Sequence, residues 1–276
     1  RGSSSWSGLG GLSCRLRSPS PDKGLFEPAT AAVLPRLIGT SSRVILMTLF
    51  VIPVGVITAI YLTEYAHNTA TFTRVIRGAV NNLAGVPSIV FGLFGLGFFI
   101  SFIGKNMDAF FLGDGRILWG QPSILWASLT LAVMTMPVVI VATEESLRAI
   151  PPGLREASLA LGATKLETIW KIVLPQALPG ILTGGILAVS RAAGEVAPIL
   201  FTGAAYYMAT LPKSPTDQFM DLGYHVYVLS TQSPNIDRTR PVLYATVVVL
   251  LFLTFALNLV AILVRANMRK KLRSLG

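Results

Sequence analysis

The chain has 276 residues, 52% hydrophobic and 13% charged, with a formal net charge of +10. An ordinary soluble domain is about 25% charged, so this composition, with a mean hydropathy of +0.63, belongs in a bilayer rather than in water. The bases gather between and beyond apolar runs, which argues against nucleic acid as a partner, and the single cysteine, Cys14, excludes an internal disulfide framework and a cysteine metal cluster.

Residues 1–28 are rich in Ser, Gly and Pro, with no initiator Met and no apolar signal-peptide core, and read as a disordered or non-family segment. Five apolar windows follow, 44–62, 83–103, 123–142, 178–202 and 242–264, each long enough to cross about 30 Å of hydrocarbon as a helix. The predicted class is an all-α membrane protein, a polytopic helical bundle. Pro53, Pro137 and Pro198 fall inside spans, where neighbouring helices and hydroxyls satisfy the freed carbonyls.

Basic residues set the sidedness. Arg265, Arg269, Lys270, Lys271 and Arg273, like Arg148, Arg155, Lys165 and Lys171, place the C-terminus and the 143–177 loop in the cytoplasm. Loops 104–122 and 204–240 then face outward, as does everything before Val44. That leading segment includes Arg36 and Arg43, and basic segments resist translocation. The start therefore reads as a fragment or a misjoined end with one upstream span missing, in preference to a disordered tail held in the cytosol.

The 143–177 loop is patterned. It breaks at Pro151-Pro152-Gly153, resumes as a short helix over Leu154 to Leu161 and stops at Gly162, a residue suited to a helix C-terminus. Thr164 and Glu167 have capping-box spacing, so a second helix is predicted to run to Leu174 and end at Pro175. Helix, sharp turn and helix make a rigid knob, although a plain helical hairpin lying on the bilayer has the same outline.

The 178–202 window carries Arg191 and Glu195 near its middle, spaced i,i+4 on one face. A charge at the bilayer centre costs on the order of 3 kcal/mol, so such a pair faces a protein interior or water and marks a pathway; mutual neutralisation and snorkelling are the plainer readings. Arg191 can offer a planar fork of donors to two oxygens of an oxyanion. Gly184, Gly185, Ala188, Ala192, Ala193 and Gly194 allow close helix approach, which suits a packing face as well as a channel wall. Asn82, Ser88 and the glycines Gly92, Gly95 and Gly97 carry the same ambiguity and rank as secondary pathway candidates. The outer loop, with Tyr206, Tyr207, Tyr224 and Tyr227, suits a membrane interface or a docked binding protein. His67 and His225 stand alone, so no metal site is predicted.

Glu156-Ala157-Ser158, Gly162 after three residues and Ile172-Val173-Leu174-Pro175 after nine more resemble the EAA motif by which ABC importer permeases grip their ATPase. Together with the run Asn81 to Phe94, Thr143-Glu144-Glu145 and Ser190 to Pro198, the chain from about residue 29 onward is similar to phosphate importer permeases of the PstA type. That resemblance implies a type I importer permease fold over 29–276, with six spans in the family and the first one absent here. It implies phosphate as substrate, the bacterial inner membrane as location, and three kinds of partner: a homologous PstC-like permease, a PstB-like ATPase dimer and an extracytoplasmic phosphate-binding protein. Glu156, Ala157, Gly162, Ile172, Leu174 and Pro175 are then the ATPase-coupling residues. Arg191, Glu195, Asn82 and Ser88 are the substrate pathway, and no cofactor is implied. Ser158 departs from the usual Ala, small for small.

The chain contains no GxxxxGK[ST] phosphate loop, since Gly104-Lys105 is followed by Asn106, so energy is expected from a partner and the chain reads as a transport subunit rather than an enzyme. A permease for sulfate, molybdate or phosphonate is the nearest rival. An intramembrane enzyme with Glu195 as base lacks a nucleophile or metal cluster, and an ATP-independent channel leaves the EAA loop unexplained.

Overall fold

In the computed structural model the described residues are 29–66, 71–113, 117–208 and 211–273. The expectation for residues 1–28, with Cys14 and His67, lies outside them. Helix α1, Ala29–Ile60, runs on through a π-type turn, Tyr61–Tyr65. It begins well before residue 44, because Arg36 and Arg43, which limit the apolar window, are buried against the rest of the protein. Charges that would stop a lipid-facing helix are tolerated when they turn inward.

Amphipathic α2, Thr71–Ala84, ends at a bend over Gly85, Val86 and Pro87. Pro87 has no N–H and pushes the preceding residue away from helix. The second span consequently starts at Ser88 rather than at residue 83. It comprises α3, Ser88–Phe94, a π stretch, Gly95–Gly104, and α4, Lys105–Phe111. Asp108 then accepts backbone N–H bonds from Leu118, Trp119 and Gly120 at 3.1, 2.8 and 2.6 Å, cinching the link to α5, Ile124–Arg148.

Helix α5 is the central post, with 67% of its apolar window buried, twice the share of any other span. It is capped by Ser123, which accepts from the Trp126 N–H. Met47 and Val51 of α1 and Ala188 and Ala192 of the fourth span share one core cluster with Leu131, Met134 and Val139 of α5. In lipid such contacts rest on close packing rather than on expelling water. At Gly184 a Cβ would lie 2.7 Å from that of Ala142, so this packing admits only glycine without a shift.

After α5 the chain makes α6, Pro152–Ala160, and α7, Lys165–Thr168, then a π-type turn, Ile169–Val173, and α8, Leu174–Gly194. Two expectations are corrected here. Pro175 does not end the second loop helix: the Leu174 N–H reaches back five residues to the Ile169 carbonyl, and this widened turn spares the Pro175 ring its clash with the preceding turn. Lys165–Gly194 is therefore one continuous apolar run. Nor is 178–202 one span with charges at its middle. The helix stops at Gly194, Glu195 is extended, and only after Pro198 does a separate turn, α9, Ile199–Thr202, begin.

A two-residue parallel pairing joins β1, Ala204–Ala205, to β2, Phe219–Met220. Helix α10, Leu222–Thr231, and the long α11, Ile236–Arg273, complete the chain. None of the apolar window of α11 is buried. Its Asn258 accepts a hydrogen bond from Ser190 of α8. Among the described residues, five helices or helix runs are thus long and apolar enough to cross a membrane.

Candidate functional site

Contacts sort to two ends of the bundle. At one end Glu64, Arg77, Glu144 and Arg155 meet; at the other Arg43, Glu195 and Asp221 meet.

The second end is built on the carboxyl terminus of α8, where carbonyls lack intrahelical partners and carry partial negative charge. Arg191 lies in the last turn, its Nε 3.5 Å from Oε1 of Glu195, with side chains 43% and 23% exposed. The predicted pair therefore forms, at an accessible helix end rather than mid-span. The guanidinium of Arg43 enters from α1, donating to the carbonyls of Ala192 and Glu195 at 3.2 Å each and of Ala193 at 3.5 Å. Its Nη2 also sits 2.8 Å from Oδ2 of Asp221, both side chains fully buried. Asp221 in turn accepts from the Thr40 hydroxyl at 3.0 Å and caps α10 through the Tyr224 N–H. Arg43, Thr40 and Asp221 were not among the sequence candidates; the signal available was a basic residue at the edge of an apolar window.

Asn82 and Ser88 lie on either side of the α2–α3 bend, with Asn82 exposed. No hydrogen bond or ion pair joins them to Arg191 or Glu195 among the described residues; the bend reaches that region through Leu83 and Val86, which pack on the cluster holding Ala188 and Ala192. A largely apolar cleft of about 330 Å³ between α2, α5 and α8 is lined by Asn81 rather than Asn82, with Glu145 and Leu187. Leu187 is one turn before Arg191.

In α10, His225 is buried with its ring 5.4 Å from that of Tyr206. Burial, and then the nearby Arg36 cation, pull its pKa down to about 4. Asp217 is held below the usual carboxylate range by N–H bonds from Ser214 and Lys213. Tyr206 and Tyr207 are exposed, whereas Tyr224 packs on the core. Among the described residues no cluster of His, Cys, Asp and Glu could hold a metal ion.

The opposite end carries the knob. Gly162 has φ +87°, a conformation that costs residues with a Cβ, and it turns the chain from α6 into α7. Thr164 and Glu167 form the capping box in full. Ser158, the small-residue departure, is 2.9 Å from the Thr168 hydroxyl and staples the two arms. The six coupling candidates divide. Glu156, Ala157 and Gly162 are exposed on the knob, while Ile172, Leu174 and Pro175 are half-buried at its root beside Ile169 and Val173, which are sealed in the protein. Five large apolar side chains share the exposed surface: Leu154, Leu159, Leu161, which is 90% accessible, Leu166 and Trp170.

A helical membrane bundle with a protruding helical knob and a charged helix end is the build of a transport-system permease. The chain belongs to the family of binding-protein-dependent transport system inner membrane components, whose sequence profile matches residues 51–274, and with its five apolar helices it is a multi-pass membrane protein. It is 39% identical over 176 residues, 64% of its length and 52% of the relative's, to phosphate transport system permease protein PstA 1 of Mycobacterium tuberculosis. It is also 39% identical over 154 residues, 56% of its length and 47% of the relative's, to the probable ABC transporter permease protein YqgI of Bacillus subtilis. The chain spans about half the length of these curated relatives. Among solved structures, the inward-facing MetNI methionine ABC transporter matches with a TM-score of 0.58 at 20% identity, over 90% of this chain and 98% of that one. A bacterial ABC transporter that imports the polysaccharide alginate matches with a TM-score of 0.62 at 15% identity, over 89% and 82%. These structural likenesses establish the fold.

Proposed function

We propose that the chain is the membrane-spanning part of an ABC importer that carries inorganic phosphate across the bacterial inner membrane, powered by an ATPase seated on the knob. The observation that carries this reading is the Arg191–Glu195 pair at an accessible end of the same continuous helix whose other end turns out of the knob. The 39% and 38% identity to relatives described as phosphate transport system permeases supports the choice of anion.

Arg191 presents a fork of donors, so it attracts phosphate; it also offsets the negative carboxyl end of α8, which alone repels an anion. Glu195 competes for Arg191 when the site is empty and shortens the anion's stay. It can also accept a hydrogen bond from the proton that phosphate keeps near neutral pH and sulfate does not. Asn82 and Ser88, beside the cleft at the α2–α3 bend, complete the pathway. The exposed Glu156, Ala157 and Gly162 form the contact with a PstB-like ATPase dimer, while Ile172, Leu174 and Pro175 root the knob. A PstC-like permease completes the channel and an extracytoplasmic binding protein delivers phosphate. Residues 29–276 form the permease domain, with the knob in the cytoplasm and the 204–240 loop outside.

Radiolabelled phosphate uptake in permease-deficient bacteria supplied with compatible partner subunits tests this reading. Uptake is expected to require the ATPase and to fall at least about 100-fold in Arg191→Gln, the loss of a charge-assisted anion contact. Glu195→Gln should keep uptake but reduce the preference for phosphate over sulfate. An assembled, inserted complex that takes up sulfate and not phosphate moves the assignment to another oxyanion.

A further inference from the structure

We infer that α1 is a brace spanning the helix run Lys165–Gly194, with Arg43 and the Glu64–Arg155 pair as the positioning contacts that hold the Arg191–Glu195 end in register with the knob. The inference rests on the proposed coupling of knob and site, and adds the element that transmits it.

The run from Lys165 to Gly194 joins knob and site directly, but it is a weak rod. It contains a π-type turn and two prolines, Pro175 and Pro179, which are the usual sites of helix bending. Left alone, motion of the knob would be absorbed in that bend. Helix α1 runs alongside in the opposite direction and grips both ends. At the inner end, Nε and Nη2 of Arg155 in α6 donate to Oε1 of Glu64 at 3.2 and 2.9 Å. The same guanidinium donates to the carbonyls of Ile150 and Leu147 at 2.9 and 2.7 Å, so it also closes the carboxyl end of α5. Beside it Lys165 lies 4.8 Å from the ring centre of Tyr65. At the outer end Arg43 holds the last carbonyls of α8, including that of Glu195.

Between those ends α1 covers about 33 Å of helix rise. It carries one proline there, Pro53, in a stretch where Val51 and Ala59 are sealed in the core, and its own π-type turn, Tyr61–Tyr65, is held by the Glu64–Arg155 pair and by the Arg77 guanidinium donating to the Leu62 carbonyl. A clamp at each end of a bent helix prevents the two ends from shifting independently. Displacement of α6 by a partner is then delivered to Arg191 and Glu195 by two routes that must agree. Arg43 and Arg155 act through the helix they hold and touch no substrate.

The test uses the full chain assembled with its permease and ATPase partners, with Cys14 replaced by Ser and Gly194 by Cys. A Cβ at residue 194 meets nothing within 4 Å, so the thiol reports on the end of α8. Its reaction with a soluble maleimide is timed with and without ATP plus vanadate, and no phosphate is needed. With the brace intact, trapping should change the labelling rate several-fold. In Glu64→Arg and in Arg155→Glu that change should shrink at least about 3-fold while vanadate-sensitive ATPase activity persists. The charge-swapped double variant remakes the ion pair but not the donation to the Ile150 and Leu147 carbonyls, and should restore the change in part. Arg43→Lys, which keeps the buried charge but loses the fork, should act like the single variants, and surface Lys165→Gln should give a smaller loss in the same direction without endangering the fold. A trapped complex whose labelling never responds to nucleotide, or single variants including Lys165→Gln that keep the full response, overturns the brace. Normal labelling with no phosphate uptake refutes the transport reading instead.

Discussion

Arg43 and Asp221 carry full charges with no solvent access. Removing one member of such a pair leaves the other buried and uncompensated, a loss of about 3–5 kcal/mol. Arg43→Ala should therefore lower the unfolding midpoint in detergent severely. Arg43→Met combined with Asp221→Asn, which keeps a cap for α10, should cost far less than the sum of the two single changes, as read in a double-mutant cycle. His225 gives a pH dependence of opposite origin. Its folded pKa of about 4 lies below the ordinary 6.5, so the folded state binds the proton less well than the unfolded state. The stability this confers is complete above pH 6.5 and drains away as pH falls toward 4, by on the order of 3 kcal/mol. His225→Gln should flatten the acid limb of the thermal-stability profile between those values; an unchanged limb would show that His225 does not set it, while Asp217, held below its ordinary 3.8, acts only at more acid pH. The Arg191–Glu195 pair was legible because both residues interrupt an apolar run. Arg43 was not, because it sits at the margin of a window and its carboxylate partner is about 180 residues away.

At the level of elements, the knob is held by local chemistry. Gly162→Ala forces a Cβ into a left-handed backbone conformation and should cost about 1–2 kcal/mol, seen as weaker retention of the ATPase on the purified permease with membrane insertion unchanged. Thr164→Ala removes a cap worth about 1 kcal/mol and should act in the same direction. Both features could be read from the sequence because a positive-φ glycine and a capping box are fixed by four or five neighbouring residues. Pro175 misled the reading, because proline as a helix terminator holds only for regular α-helix; the π-type turn before it is a tertiary accommodation with no sequence signature of its own. The end of α8 was missed for the complementary reason. Hydrophobicity continues smoothly from Ile199 through Thr202, and the break at Gly194 is supported from α1, where the Arg43 guanidinium donates to the Ala192, Ala193 and Glu195 carbonyls beside the Glu195 N–H that also reaches Ala192.

The molecule as a whole exposes more apolar surface than α5 and its neighbours can cover. Helix α11, and a face of the second span with Leu93, Phe94, Phe98 and Phe102, are open, as befits surfaces turned to lipid or to another membrane subunit. Leu161 lies outside both, at the tip of the knob. Leu161→Asp should abolish co-purification of the ATPase while leaving the thermal unfolding of the permease unchanged, since the side chain touches little of its own chain. If the ATPase is retained, the docking face lies elsewhere on the knob. The buried pair has one more consequence, which concerns synthesis rather than the finished protein. Arg43 leaves the ribosome on the first apolar helix described here, and its carboxylate follows about 180 residues later. At roughly 5–20 residues per second that is a wait of about 10–40 s. For that interval the guanidinium has no counter-ion, and α1 is a poor solute for lipid. The helix is then expected to stay beside the insertion machinery until the segment bearing Asp221 has emerged, together with the spans made in between, and pulse-labelled chains truncated before Asp221 should leave α1 accessible to crosslinking there.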